Sequence, residues 1–236
     1  ALSLGMAARV GNAQTPASPP TWLRIANIAH NIILVVSSAL MFAGVLFEVA
    51  RRSAASPRGL SFLVCADPAA EEAKGAMYFW CYVYYLSKYY ELLDTPLQLM
   101  RGKRPANFGF QVYHHALVLF MGWAWLEYTV SLWQVGMLFN TAVHVVMYYY
   151  FLLCTLGKPP KWKRWVTRFQ VVQFITSLGL FAWTSALVLS YGRECAGYRA
   201  LLLNGVFNVT LLYQFVGIAR RGSEPRVKSG ASKRAD

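Results

Sequence analysis

The stretch Ile25–Val49 reads IANIAHNIILVVSSALMFAGVLFEV and is apolar along almost its whole length. A helix needs roughly 20 such residues to cross the hydrocarbon core of a bilayer. Hydrophobic residues make up 56% of the chain and charged residues 14%, against about 25% charged in soluble domains. Five similar runs follow: Ala76–Met100, Phe108–Trp125, Leu132–Leu156, Trp165–Tyr191 and Tyr198–Ile218. The sequence therefore predicts an all-α membrane protein with about six spans.

The segments outside these runs set the domain limits and the orientation. We expect residues 1–21, rich in Ala, Pro and Ser, to form a flexible arm, residues 22–219 a membrane domain, and residues 220–236 a basic tail. Lys and Arg concentrate in alternate loops, and cytosolic loops carry such an excess. Both ends of the chain are therefore expected in the cytosol. The same rule accounts for the net charge of +13 without a nucleic acid partner.

The cysteines divide between loops and spans. Cys65 and Cys195 fall in the two loops on the predicted non-cytosolic side, whereas Cys81 and Cys154 lie inside spans. In an oxidising lumen, two loop cysteines on one side can pair. We favour a disulfide between them, and the alternative is two free thiols.

Polar side chains cluster within the spans, where an ionisable group is costly unless it faces a cavity or a partner. Four clusters occur: Lys88, Glu91, Asp94 and Thr95; Gln111, His114 and His115; Asn140, His144, Met147, Tyr148 and Tyr150; Thr167, Gln170 and Gln173. Their spacings place members of a cluster on one helix face. Helix packing could then gather the four clusters around one polar pocket.

Each cluster also has a purely structural interpretation. Lys88 and Glu91 suit an ion pair that only holds helices together, and buried pairs need not be catalytic. Because His114 and His115 point in different directions, we expect only one of them to face a given cavity. His30, away from the clusters, fits a hydrogen-bonded contact between helices.

In order and spacing, the clusters resemble the motifs of the ELO family of very-long-chain fatty acid elongases. The family patterns are Lys-x-x-Glu-x-x-Asp-Thr, His-x-x-His-His, Asn-x-x-x-His-x-x-Met-Tyr-x-Tyr-Tyr and Thr-x-x-Gln-x-x-Gln. They match from Lys88, Gln111, Asn140 and Thr167 onward. Gln111 stands where the family has its first box histidine, a variant associated with members acting on polyunsaturated chains. Phe151 replaces the last Tyr of the third pattern.

The resemblance implies an activity and a setting. Family members condense an acyl-CoA with malonyl-CoA and release 3-oxoacyl-CoA, CO2 and CoA, with no cofactor or metal. They are multi-pass proteins of the endoplasmic reticulum membrane and work with the reductases and dehydratase of the elongation cycle; a homodimer is consistent with the family. The C-terminal Lys233-Arg234-Ala235-Asp236 resembles a dilysine-type retrieval signal. Residues 22–219 would then be the catalytic domain.

The family usually has seven spans, the first of them outside a six-helix barrel around an acyl tunnel. We therefore expect the start of this chain, Ala1, to be truncated and its catalytic core to be spared.

The resemblance also implies roles for individual residues. His114 would accept the acyl group as the nucleophile, while His115 and His144 would orient or activate it or handle protons. Hydrogen bonds to thioester or enolate oxygens would come from Asn140, Gln170 and Gln173. Gln111 would hydrogen-bond a neighbouring imidazole and fix its tautomer. Residues expected to receive the CoA phosphates are Lys88, Arg101, Lys103, Arg104, Lys161, Lys163 and Arg164.

Two rival functions share parts of this pattern. A di-iron desaturase or hydroxylase also uses His-x-x-His-His boxes, but it needs many imidazole ligands and this chain has 4 histidines. A membrane carrier or receptor would use Lys88, Glu91 and Asp94 as a proton or ion path. The order of the four motifs favours the elongase.

Overall fold

The computed structural model describes residues 20–56, 59–102 and 107–223. Helix makes up 82% of these residues, and no strand occurs among them, which confirms the all-α prediction. The predicted arm, residues 1–21, and the predicted tail, residues 220–236, lie outside the described residues except for 20–21 and 220–223, where α1 begins and α7 ends.

The described helices follow the predicted order along the chain. They are α1 Thr21–Ala55, α2 Gly75–Glu91, α3 Asp94–Met100, α4 Phe108–Tyr128, α5 Trp133–Thr155, α6 Lys163–Tyr191 and α7 Tyr198–Ser223. A short 3₁₀ helix, Gly59–Leu63, lies between α1 and α2. Of the six predicted spans, the four on α1, α5, α6 and α7 are long and apolar enough to cross a membrane.

The predicted span Ala76–Met100 is wrong as one continuous helix, because it breaks at Leu92 and Leu93 into α2 and α3. Pro96 supplies the reason. Proline has no amide hydrogen, and its ring clashes with the carbonyl four residues earlier, which here belongs to Leu92. With 17 residues, α2 is only about 26 Å long, shorter than the hydrocarbon core.

The predicted span in α4 also falls outside the set of four. This helix has 21 residues, so its length is sufficient. Its polar residues lower its mean hydropathy, and three of them, Gln111, His114 and His115, belong to the second cluster. The composition that weakens α4 as a span is therefore the composition that makes it a candidate functional helix.

Six helices close a ring. Their packing order is α1, α2, α4, α7, α6, α5 and back to α1, with the short α3 against α1. On α1, Leu34, Met41 and Val45 are buried against neighbouring helices, whereas Leu40 and Phe47 are exposed on the outside. An apolar exterior of this kind suits lipid rather than water. The ring agrees with the six-helix barrel that the resemblance implies.

At one end of the ring, three connecting segments are bonded into one cap. The Ser131 amide donates to the Ala196 carbonyl at 2.8 Å, the Ala196 amide donates to the Ala66 carbonyl at 2.8 Å, and the Ala66 amide donates to the Ser131 hydroxyl at 3.2 Å. Beside them, Cys65 and Cys195 form a disulfide with their Cα atoms 4.9 Å apart, the pair favoured from sequence. We call this the disulfide end.

Gly197 lets two of these segments approach closely. Its φ of +62° lies in the left-handed region, and a Cβ there would come 2.7 Å from both the Tyr128 carbonyl oxygen and the Val130 Cα. Gly192 shares the same φ but has open space around the equivalent position. Of these two glycines, Gly197 alone is therefore restricted both by its backbone conformation and by its contacts.

This contrast predicts unequal costs for two alanine substitutions. Gly192→Ala is expected to lower the free energy of unfolding by about 1 kcal/mol, the cost of a left-handed alanine. Gly197→Ala is expected to cost roughly 3 kcal/mol, because backbone atoms must also move. Thermal unfolding of both variants in detergent measures the difference. Equal losses would show that the contact at Gly197 relaxes freely.

Candidate active site

A cavity of about 460 Å³ opens among the helices at the end of the ring that carries α3. We call it the site cavity. Predicted site residues from all four clusters line it: Glu91, Asp94, Gln111, His114, His115, Asn140, His144, Met147, Tyr148, Gln170 and Gln173. The four clusters therefore meet around one pocket, as the sequence analysis expected. The predicted residues that do not line it are Lys88, Thr95, Tyr150 and Thr167.

A buried ion pair lies at the cavity wall, with Glu91 in the lining and Lys88 behind it. Lys88 Nζ donates to Glu91 Oε1 at 2.8 Å and to Asn140 Oδ1 at 2.8 Å. The side chains of Lys88 and Glu91 are each only 2% exposed. His144 Nδ1 lies 3.2 Å from the same Glu91 oxygen. One carboxylate thus orients a lysine and a cavity histidine, and joins α2 to α5.

This pairing corrects the predicted phosphate contact of Lys88. Its ammonium donates hydrogen bonds to Glu91 and Asn140, and its buried side chain does not line the cavity. Lys163, in contrast, lines the site cavity. Arg101 Nη1 is 3.5 Å from Asn27 Oδ1 on α1. Lys103 and Arg104 lie outside the described residues, while Lys161 and Arg164 are exposed.

Asp94 fixes a second group of contacts across three helices. Its Oδ1 lies 2.9 Å from His30 Nε2 on α1, and its Oδ2 accepts a 2.8 Å hydrogen bond from the Tyr148 hydroxyl on α5. The spacing predicted one continuous helix face, but α2 ends at Glu91 and Asp94 begins α3. His30 is a helix contact, as expected, but one made to a predicted site residue.

The Gln111 side chain takes a different partner from the one predicted. Its amide nitrogen donates to the Thr95 hydroxyl at 3.0 Å, so it ties α4 to α3 rather than fixing an imidazole. On the facing helices, Gln170 Nε2 lies 3.5 Å from Met147 Sδ. Some hydrogen-bonding groups of the predicted site residues therefore join the helices of the cavity wall to one another.

The prediction that only one of the adjacent histidines faces the cavity is wrong. Both His114 and His115 line it, with ring centroids 5.7 Å apart. His114 differs in also lining a smaller cavity of about 50 Å³ deeper in the ring, which we call the inner cavity. Asn140 and Gln173 line both cavities as well. These side chains form the boundary between the two spaces.

Tyr84 is a site residue that the sequence analysis missed. Its hydroxyl donates to Asn140 Oδ1 at 2.9 Å, and Lys88 Nζ lies 4.2 Å from its ring centroid. The signal was present, because Tyr84 precedes Lys88 by four residues and therefore shares its helix face. Aromatic residues are so common in this chain that this tyrosine did not stand out.

The described residues contain no group of three or more His, Cys, Asp or Glu side chains placed to hold a metal ion. His30 and His144 are instead directed at Asp94 and Glu91.

Fold and site together define a polytopic all-α membrane protein with a histidine-rich polar cavity inside a ring of helices. The profile of the GNS1/SUR4 family, also called ELO, matches residues 4–219. The chain belongs to this family. The resemblance carried by the four short motifs is thereby confirmed, and the match extends over most of the chain.

Several relatives carry the name of fatty acid elongases. A provisionally named fatty acid elongase of Dictyostelium discoideum is 36% identical over 200 residues, covering 83% of this chain and 65% of that protein. Fatty acid elongase sre1 of the same organism is 36% identical over 161 residues, 66% of this chain and 57% of its own length. Very long chain fatty acid elongase 7 of Rattus norvegicus is 37% identical over 100 residues, which cover 40% of this chain and 36% of that protein. The alignments thus cover less than two thirds of the length of these relatives.

The buried pair predicts a large loss of stability when one partner is removed. Lys88→Met leaves Glu91 buried without its cation and is expected to lower the free energy of unfolding by about 3 kcal/mol. Adding Glu91→Leu should restore part of this loss, since no isolated charge remains. Thermal unfolding in detergent measures both effects.

Lys74→Met provides the control for this prediction. Lys74 pairs with Glu72, and the two side chains are 76% and 57% exposed. The substitution should change stability little, because water replaces the pair. A loss for Lys88→Met no larger than for Lys74→Met would contradict the role assigned to the buried pair.

Proposed function

We propose that this protein is a fatty acid elongase that condenses an acyl-CoA with malonyl-CoA. The products are 3-oxoacyl-CoA, CO2 and CoA. The observation that carries the proposal is the position of His114, which lines both the site cavity and the inner cavity. A thioester could then present its carbonyl to the imidazole, with CoA in the open cavity and the acyl chain directed inward.

In the first step, a ring nitrogen of His114 attacks the thioester carbonyl carbon. A C–N bond forms, the C–S bond breaks, and CoA leaves as a thiolate that takes up a proton. Splitting the transfer through an imidazole replaces one difficult displacement by two easier ones. Phe110 stacks on His114 with ring centroids 5.7 Å apart, which holds the imidazole in the wall.

In the second step, malonyl-CoA loses CO2, and the electron pair stays on carbon as an enolate. The enolate carbon attacks the acyl group on His114, the new C–C bond forms, and the C–N bond breaks to regenerate imidazole. The negative oxygen needs donors already in position. The Asn140 oxygen already accepts from Lys88 and Tyr84, which leaves the Asn140 amide nitrogen as the group that can donate.

His144 and His115 complete the proposed proton handling. Glu91 holds His144 through Nδ1, so the other ring nitrogen of His144 remains for exchange with substrate. His115 lines the same cavity and can protonate the departing thiolate. Gln170 and Gln173, on α6, supply further amide donors across the cavity. Lys163 offers a cation for CoA phosphate.

We place the reaction at the endoplasmic reticulum membrane, with the C-terminus in the cytosol. The apolar helices and the family support a multi-pass membrane protein, and the Lys/Arg distribution favours this orientation. The product would pass to the reductases and dehydratase of the elongation cycle. We also propose a homodimer, which the family resemblance alone supports.

The reaction is tested by incubating purified protein in liposomes with labelled malonyl-CoA and a panel of acyl-CoAs. We expect CO2 release and a 3-oxo product two carbons longer, with at least about a thousandfold loss in His114→Ala, because the nucleophile is removed. Tyr213→Phe, on an exposed part of α7, is the control and should retain activity. Folded protein that binds acyl-CoA without releasing CO2 would contradict the elongase and favour a carrier.

The polyunsaturated preference depends on Gln111 and has its own test. Gln111→His breaks the bond to Thr95 and puts a shorter, flat ring beside His114. We expect the ratio of polyunsaturated to saturated turnover to fall by about tenfold, the scale of a change in pocket shape. Competition between the two acyl-CoAs measures this ratio. As a control, Thr95→Val removes the same hydrogen bond but keeps Gln111. Equal turnover of polyunsaturated and saturated acyl-CoA by the unsubstituted protein would refute the preference.

A further inference from the structure

The inner cavity has a mostly apolar wall that also includes the polar residues His114, Asn140, Gln173, Ser177, Asn204 and Asn208. Most of the wall is aliphatic or aromatic, including Val118, Met121 and Leu211, as an acyl chain requires. Asn204 on α7 and Trp125 on α4 line the same space. Its volume of about 50 Å³ exceeds the roughly 10–15 Å³ that one water-sized group needs.

Each of these two side chains has a buried polar atom without a hydrogen-bond partner among the described residues. The atoms are Asn204 Oδ1, an acceptor, and Trp125 Nε1, a donor. Among the other unpaired atoms of the described residues, His114 Nδ1 belongs to a residue that lines the inner cavity, at its boundary with the site cavity. Away from that boundary, the lining residues carry one unsatisfied acceptor and one unsatisfied donor.

The indole ring of Trp125 is fixed in place. It stacks on Tyr84 with ring centroids 5.6 Å apart, and a Cβ at Gly136 would lie 2.6 Å from its Cη2 atom. The N–H of Trp125 cannot easily turn toward another partner. Asn208 is buried, but its amide nitrogen already donates to the Asn204 carbonyl. It therefore does not satisfy the Asn204 side-chain oxygen.

A plain hydrocarbon chain in this space would leave both polar atoms unpaired, which is costly in an apolar environment. A hydroxyl group offers both one donor and two acceptor lone pairs. The pair of unsatisfied atoms thus has the chemistry of a hydroxyl site.

We propose that the inner cavity recognises an acyl chain that carries a hydroxyl group, with Asn204 and Trp125 as the specificity-determining residues. This proposal rests on the proposed elongase function, because it requires that the acyl chain enters past His114. It adds a substrate class, hydroxyacyl-CoA, to the acyl-CoAs already considered. An ordered water is the competing occupant, since it too donates and accepts.

The test compares kcat/KM for hydroxyacyl-CoAs with that for the unsubstituted acyl-CoA of equal length, moving the hydroxyl along the chain. We expect at least one position to be favoured by about tenfold, since unpaired site groups penalise the analogue without the hydroxyl. Asn204→Leu and Trp125→Phe should each bring this ratio close to one. Phenylalanine keeps the stacking on Tyr84 and removes only the N–H.

Val206→Leu, on the exposed side of α7, is the matched control and should keep the hydroxyl preference. If one variant does not fold, the other still tests the proposal. Turnover of unsubstituted acyl-CoA with no preference at any position would overturn the hydroxyl site, assign the space to water, and leave the elongase intact. Absence of turnover with every acyl-CoA would overturn both.

Discussion

A charged lysine and glutamate inside an apolar ring impose the constraint on which this structure depends. Neither can remain ionised there alone, so each must find its partner inside the protein. Lys88 satisfies Glu91 from the same helix, and both then recruit groups on α5, Asn140 and His144. The contacts that neutralise the charge also orient the cavity histidine. Structure and candidate chemistry therefore share one network.

The two ends of the ring are held together by different kinds of contact. At the disulfide end, backbone hydrogen bonds and the Cys65–Cys195 bond tie three connections together. At the site end, side chains form the links, as in the contacts of Asp94 with His30 and Tyr148. The helices can thus be held in register by the cap while the polar side chains at the other end surround an open cavity.

The sequence predicted the helical class, most of the helix positions and most cavity residues, because apolar length and i, i+3 or i, i+4 spacing are local properties. It did not predict which helices are neighbours. Gln111 therefore received an imidazole partner instead of Thr95, and Lys88 was assigned to phosphate instead of Asn140. The break at Leu92 was readable from Pro96, but the apolar run concealed it.

The distribution of polarity favours chemistry within the ring over passage through it. A carrier needs a polar route that reaches both ends. Here the ionisable side chains of the four clusters lie around the site cavity or directly behind it, while the cavity near the disulfide end is lined mostly by apolar residues such as Leu63, Val64 and Trp183, with Arg193 as its one ionisable side chain among the described residues. A polar head group could be held beside His114, and an apolar chain would find apolar walls further in. That asymmetry fits an amphipathic thioester better than a solute that must leave at the far side.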